Sequence, residues 1–180
     1  MVSDEECAEF AEDAEFLMAK HILLRYSEDG SDTALYDIEE LLWQIITYNG
    51  SDFDAFFDEL MLEYSDDQGG LMQYPHGYLF QEGDMVDSFY EACLSMQIGA
   101  FSGIVESMYG YHIIYRVPIN YDVIPISFSG QGDYGTLRAY VAQSLFDSVL
   151  SQWLDNLEIS YTAEYESMDL AAVFGMSGGG

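Results

Sequence analysis

Two short apolar runs, KHILLRY at 20–26 and YGYHIIYRVP at 109–118, repeat one pattern: His21-Ile-Leu-Leu-Arg25 in the first and His112-Ile-Ile-Tyr-Arg116 in the second. The first is bounded by the turn-like SEDGSD and reads as a buried strand; the second follows FSGIVES at 101–107 almost without a gap and reads as the other half of a hairpin. Side chains alternate along a strand. Each histidine therefore shares a face with the arginine four residues on, while the isoleucine after it points the other way. If the first and last of these strands pair, the two histidines can meet. A single histidine in an apolar strand is ordinarily a hydrogen-bonded structural residue. A matched pair weighs more, because burying two titratable rings costs stability unless something uses or satisfies them.

Helices fill the space between the strands. Ser31 or Asp32 caps one whose stripe is Ala34, Leu35, Ile38, Leu41, Leu42, Ile45 and Ile46, ended by Asn49-Gly50. Ser51 or Asp52 caps the next, with Phe53, Phe56, Phe57, Leu60 and Met61 facing inward until the polar run at 65–70 stops it. A loop around Tyr74-Pro75-His76-Gly77 leads to a short helix at about 86–96 that ends at Gly99. Before the first strand, residues 3–18 place Cys7, Phe10, Ala11, Ala14, Leu17 and Met18 at helical spacing behind Ser3 as N-cap. After Ile119 come a strand-like VIPISF, a glycine-rich turn at 130–135 and a long helix at 136–156 with Leu137, Val141, Leu145, Val149 and Trp153 in its stripe. The closing MSGGG has linker composition and is expected to be disordered.

Charge narrows the function classes. Against 33 acidic residues stand four bases, Lys20, Arg25, Arg116 and Arg138, for a net charge of −29. Such a field repels phosphate backbones and anionic headgroups, so neither nucleic acid nor direct membrane binding is expected. With 49% apolar residues the 180-residue chain is far from the composition of disorder and suffices for one ordinary domain plus an appendage. It has no unbroken apolar stretch of about 18 residues, and its first residues are acidic where a leader would be basic, so a soluble chain without an address is expected. Cys7 and Cys93 read as buried small hydrophobes, too few for a disulfide framework or, with scattered histidines, a zinc site. Asp66 and Asp67 end a helix, where the dipole disfavours negative charge; alone they read as a solvated loop. Two generic patterns fail. The G-x-S-x-G at 175–179 has no following helix, and the calcium-like spacing from Asp29 to Glu40 has Ala34 where the loop needs glycine.

Taken in order, AKHILLR (19–25), DFDAFFDELMLEYSDDQGG (52–70), GYLFQEGDMVDSFYEAC (77–93) and IGAFSGIVESMYGYHIIYR (98–116) resemble the successive signature blocks of the parvulin family of prolyl cis/trans isomerases. GYLF before EGDM, and YGYHII, make them most similar to the PpiC/PrsA-type foldases that Gram-positive bacteria export. The resemblance implies an α+β fold, a parvulin-like antiparallel sheet surrounded by helices, with helical N- and C-terminal extensions. It divides the chain into a helix at 1–18, an isomerase domain at 19–118, an extension at 119–176 and a tail at 177–180.

The family's paired histidines fall on His21 and His112, its intervening cysteine or aspartate on Asp67, and its hydroxyl donor on Ser107. Its proline pocket falls on Met85 and Phe89, with Phe80 close by. Where many members read GG-[DE]-LG before the aromatic, this chain has His76-Gly77-Tyr78-Leu79-Phe80, so the leucine that closes the pocket is assigned to no residue. The implied partners are unfolded or partly folded polypeptides with X-Pro bonds, with no cofactor and no metal, in an extracytoplasmic setting. The competing class is a holdase that grips unfolded chains through the same groove without catalysis. Such foldases usually carry a helical lobe built from both flanks of the isomerase domain, and the helix at 136–156 reads as half of one, which leaves homodimerisation through exposed stripes as a further expectation.

Overall fold

The computed structural model describes residues 2–27, 30–31, 33–128 and 135–158. Asp32, offered above as a helix cap, the glycine-rich turn apart from Gly135, and the tail at 177–180 lie outside them. The chain divides into two compact units, Met1–Gln143 and Ser144–Gly180. In the first, α1 (Asp4–Asp13), β1 (Leu17–Arg25), α2 (Thr33–Thr47), α3 (Phe53–Tyr64), α4 (Gln68–Gln73), β2 (Tyr78–Phe80), α5 (Asp87–Ser95), β3 (Phe101–Ser107) and β4 (Gly110–Arg116) follow one another. A 3₁₀ turn at Ile126–Phe128 then leads to α6 (Leu137–Asp155), which begins in this unit. The described part of the second unit is the remainder of α6 and the residues up to Glu158, with Phe146, Val149 and Trp153 exposed.

The four strands form an antiparallel sheet in the order β2-β1-β4-β3. The expected hairpin is β3–β4, and the two histidine strands are central neighbours, with His21 opposite Ile114 and Leu23 opposite His112. Their close approach depends on Gly110: its φ is +142°, and a Cβ there would lie 2.1 Å from the Leu24 carbonyl oxygen. Alternation then sorts the side chains into two cores. Met18, Ile22, Leu24, Leu79, Ile113 and Tyr115 pack with α1, α2 and α3. Leu17, Ala19, Phe80 and Ile114 pack with Phe89, Tyr90 and Cys93 of α5 on the opposite face. The α+β arrangement expected from the resemblance is the one observed.

Three local expectations are corrected. The first helix stops at Asp13, not Met18; after Glu15, in a left-handed conformation at φ 54°, the chain is already strand at Leu17. Phe16, Leu17 and Met18 are all buried, and Leu17 joins the α5 core while Met18 joins the opposite one. Only a strand sends neighbours to opposite faces, so apolar spacing alone was ambiguous there. Between the start of the polar run at 65–70 and the loop expected around Tyr74-Pro75-His76-Gly77 lies α4, and that loop leads into β2, elements of six and three residues that are too short to show a period. VIPISF is not a strand. Pro125 lacks the N–H a ladder needs, and its carbonyl instead accepts the Phe128 N–H at 3.1 Å to close the 3₁₀ turn.

Ser3 caps α1 as expected, in a reciprocal box with Glu6. The first turns of α6 pack on α1 within the first unit: Phe10 and Tyr140 lie 5.5 Å apart, Arg138 pairs with Asp4 at 2.8 Å, and Leu137 and Val141 enter the core.

Candidate active site

The α3–α4 junction covers the part of the β1 edge that the short β2 leaves open. Ser65 is buried and its hydroxyl accepts the Leu23 N–H at 3.1 Å; the Asp66 N–H donates to the Leu23 carbonyl at 2.7 Å; the Asp66 carboxylate accepts the Arg25 N–H at 2.8 Å. Two neighbouring aspartates thus separate in role. Asp66 completes the sheet edge, and Asp67 turns towards His21.

The dipole argument against Asp67 reverses, because α3 already ends at its C-cap Ser65 and Asp67 opens the next helix. Its Oδ1 accepts the Gly70 N–H at 3.2 Å as N-cap of α4, and its Oδ2 accepts the hydroxyl of Tyr78. Gly70 has no space for a side chain, since a Cβ there would fall on the Tyr78 hydroxyl and the Asp67 carboxylate. His21 beside it, then the Tyr78 hydroxyl and the Gly70 amide, outweigh burial and hold the Asp67 carboxyl well below the usual range. Burial and that same carboxylate push the Tyr78 phenol upward, so it stays a donor.

His21 and His112 sit diagonally across the β1–β4 pair, 6% and 3% exposed, with their rings edge to face at 5.3 Å. His21 stacks on Tyr78 at 5.4 Å and meets Phe89 edge-on at 5.2 Å. Its Nε2 lies 3.2 Å from Asp67 Oδ2, yet neither ring nitrogen completes an aligned hydrogen bond. His112 Nε2 lies 2.7 Å from the Ser107 hydroxyl, which also accepts the Tyr109 N–H at 3.1 Å, while His112 Nδ1 is buried without a partner. Burial, then the neighbouring His21, depress the His112 imidazole to about 4, with Asp67 opposing, so this ring is neutral near pH 7.

These groups open onto a cavity of about 320 Å³. His21, Asp67 and His112 form its polar wall, and Met85, Val86 and Phe89 its apolar one. Two of the expected residues stand behind it. Ser107 braces His112 from the far side, and Phe80 is fully buried behind Phe89, with ring centroids 5.7 Å apart, so it supports the pocket without lining it. The sequence reading missed Tyr78, Tyr74, Val86 and Ile126, all of which line the cavity. Tyr78 shares a face with Phe80 by strand alternation, but only once the three-residue β2 is known. Among the described residues no three His, Cys, Asp or Glu side chains are placed to hold a metal ion.

The profile of the PPIC-type PPIASE domain family matches residues 7–117. Over 165 residues the chain is 28% identical to the foldase protein PrsA of Caldanaerobacter subterraneus subsp. tengcongensis, an alignment covering 87% of this chain and 46% of that protein. Over 117 residues it is 37% identical to PrsA of Halalkalibacterium halodurans, covering 63% of this chain and 31% of that protein. The chain thus spans less than half the length of these curated relatives. The crystal structure of PrsA from Bacillus subtilis overlays at a TM-score of 0.45 and 23% identity, covering 90% of this chain and 58% of that one.

Proposed function

The chain belongs to the family of PPIC-type PPIASE domains, and on that premise we propose that it catalyses cis/trans isomerisation of X-Pro bonds in unfolded or partly folded polypeptides. The observation that carries the reading is one cavity with an apolar socket, Met85, Val86 and Phe89, facing a polar wall of His21, Asp67 and His112. The chemistry needs no nucleophile. X-Pro bonds prefer trans by only about 0.5–1 kcal/mol, but rotation must break amide resonance at about 18–20 kcal/mol. In the planar amide the carbonyl oxygen carries extra negative charge, which the twisted form loses. A carboxylate beside that oxygen disfavours the planar form more than the twisted one, and therefore lowers the barrier. Asp67 suits this role because its hydrogen bonds keep it ionised. In this reading Met85 and Phe89 grip the proline ring, the two histidines hold Asp67 and each other in orientation, and Ser107 fixes His112.

We assign catalysis to residues 19–118, with a preference for unphosphorylated clients. From the resemblance to exported PpiC/PrsA-type foldases we place its work outside the cytoplasm. The deciding experiment is a protease-coupled or exchange-NMR assay on a short Ala-X-Pro peptide with the intact chain. Acceleration of cis/trans exchange supports the isomerase. No acceleration, together with suppression of aggregation of an unfolded client, would replace it with the holdase.

A further inference from the structure

Beyond Tyr74 lies a second cavity of about 320 Å³, walled by Tyr74, Pro75 and His76 after α4 and by Val123 and Ile124. The first cavity uses Tyr74 as well, and Ile126. One ring and one stretch of chain therefore border both. Ile126 packs against the core that contains Phe80 and Phe89, whereas Ile124 is 47% exposed where it lines the second cavity. The segment is held in place by its own backbone: the Leu137 N–H donates to the Val123 carbonyl at 3.1 Å, and the Arg138 N–H to the Tyr121 carbonyl at 2.9 Å. Such a wall is ordered before anything binds, so binding need not bear the cost of ordering it. Val123, Ile124 and Ile126 all lie beyond residues 7–117, the part matched by the family profile.

We infer that the second cavity is a subsite of the same polypeptide groove and takes an apolar side chain two residues from the proline. The inference rests on the isomerase reading for the occupant of the first cavity. Its geometry comes from the spacing. Ile124 and Ile126 are two residues apart, at most about 7 Å along the chain. An extended peptide presents one face every two residues, about 6.6 Å. A proline seated against Ile126 therefore brings the side chain two positions away to Ile124, across the ring of Tyr74. The walls supplied by Pro75, Val123 and Ile124 select an aliphatic or aromatic group. The Tyr74 wall shared with the first cavity, and the Ile124–Ile126 segment that borders both, make the substrate chain itself the occupant.

The test uses the intact chain and three peptides: an all-alanine parent around one proline, and the same peptide with leucine two positions before or two positions after it. Dissociation constants come from NMR titration and turnover from exchange NMR. One of the two leucine peptides is expected to bind about fivefold more tightly than the parent, as partial burial of a leucine predicts. Ile124→Ser should bring that ratio to within about twofold of unity. A wild-type ratio near unity for both leucine peptides overturns the subsite, whether the cavity is then filled by another part of this chain or by a second copy; this outcome requires no variant to fold. A ratio that survives Ile124→Ser in protein with an unchanged unfolding midpoint also overturns it. Failure of the isomerase reading is distinct, because it appears as absence of turnover of the parent peptide whatever the binding ratio.

Discussion

On one face of the sheet Met18, Ile22, Leu24 and Ile113 pack into an apolar core with three helices; on the other, one residue along the same strands, His21 and His112 are buried to a similar depth, and three of their four ring nitrogens complete no hydrogen bond. The strands, their register and their depth are shared, so the difference is not one of fold. An unsatisfied buried polar atom costs about 1–3 kcal/mol, and here three histidine nitrogens lie in that state within one cluster. A chain under selection for stability alone has the same alternation available to place isoleucine there. The first face therefore holds the domain together, and the second spends stability on a site.

The comparison breaks most sharply on a pair of substitutions. Ile22 is fully buried among apolar neighbours, so Ile22→Ala is expected to cost about 2–5 kcal/mol in denaturant unfolding while the molecules that remain folded keep their turnover. His21→Ala, one position away, is expected to lower turnover by about tenfold or more and to cost less stability than Ile22→Ala. Turnover lost in both variants, or in neither, would show that the faces do not divide the labour.

Acid should act on the histidine face. The unfolded His112 takes up its proton near about 6.5, whereas the folded residue resists until about 4. Over that window the unfolded state binds more protons, so this contribution to stability is complete above about pH 6.5, declines as pH falls, and has lost about 3 kcal/mol by pH 4. Asp67, held below the usual carboxylate range, extends the loss to lower pH by the same sign. Neutralisation of so acidic a chain opposes both through reduced self-repulsion, and for that reason the informative quantity is the difference between wild type and His112→Asn. The variant should show a shallower decline between pH 6.5 and 4. Identical pH profiles for the two proteins would remove His112 as the responsible group.

A smaller effect separates the charge of Asp67 from its shape. Asp67→Asn keeps a side-chain oxygen for the Gly70 N–H and should leave the chain folded, yet turnover is expected to fall about tenfold, or about 1.4 kcal/mol of barrier. Unchanged turnover in folded Asp67→Asn would take this residue out of the site.

Much of this division was legible in the sequence because it follows from alternation. Once His21 and His112 are read on paired strands, their common face, the arginines beside them and the apolar face behind Ile22 and Ile113 all follow from a period of two. Tyr78 and Asp67 resisted for the opposite reason. Their placement depends on a three-residue strand and a six-residue helix, too short for any period, and on the Ser65 hydroxyl replacing a missing strand partner. The resemblance supplied Asp67, while local reasoning gave the wrong sign for its helix dipole because α4 was invisible. Ile126 was missed because VIPISF alternates like a strand, and Pro125 alone marked the turn.

The weakest expected effect concerns substrate charge, and here three of the chain's four bases are committed to the fold. Lys20 pairs with Asp58 at 2.6 Å, Arg116 donates to the carbonyls of Cys93 and Met96 at the end of α5, and Arg138 bridges Asp4 and Asp122. Of the four, Arg25 alone lines the cavity, whose lining also includes Asp67 and Asp84, and it lines a neighbouring cleft together with Asp37, Glu40, Glu63 and Asp66. A phosphoserine before the proline adds about −1.5 to −2 charges at pH 7, and holding it takes a cluster of cations rather than one. The nearby carboxylates act within about 8 Å at physiological salt, so screening weakens their repulsion without reversing it. Exposed charge effects of this kind amount to about 1 kcal/mol or less, so kcat/KM for a phospho-Ser-Pro peptide should fall about two- to fivefold below that of its unphosphorylated form. Lysine or arginine before the proline should raise kcat/KM by a similar factor, and both differences should shrink as salt is added. A preference for the phosphopeptide would mean that Arg25 outweighs the carboxylates around it, and a basic-residue advantage indifferent to salt would mean that the groove reads shape where charge is claimed.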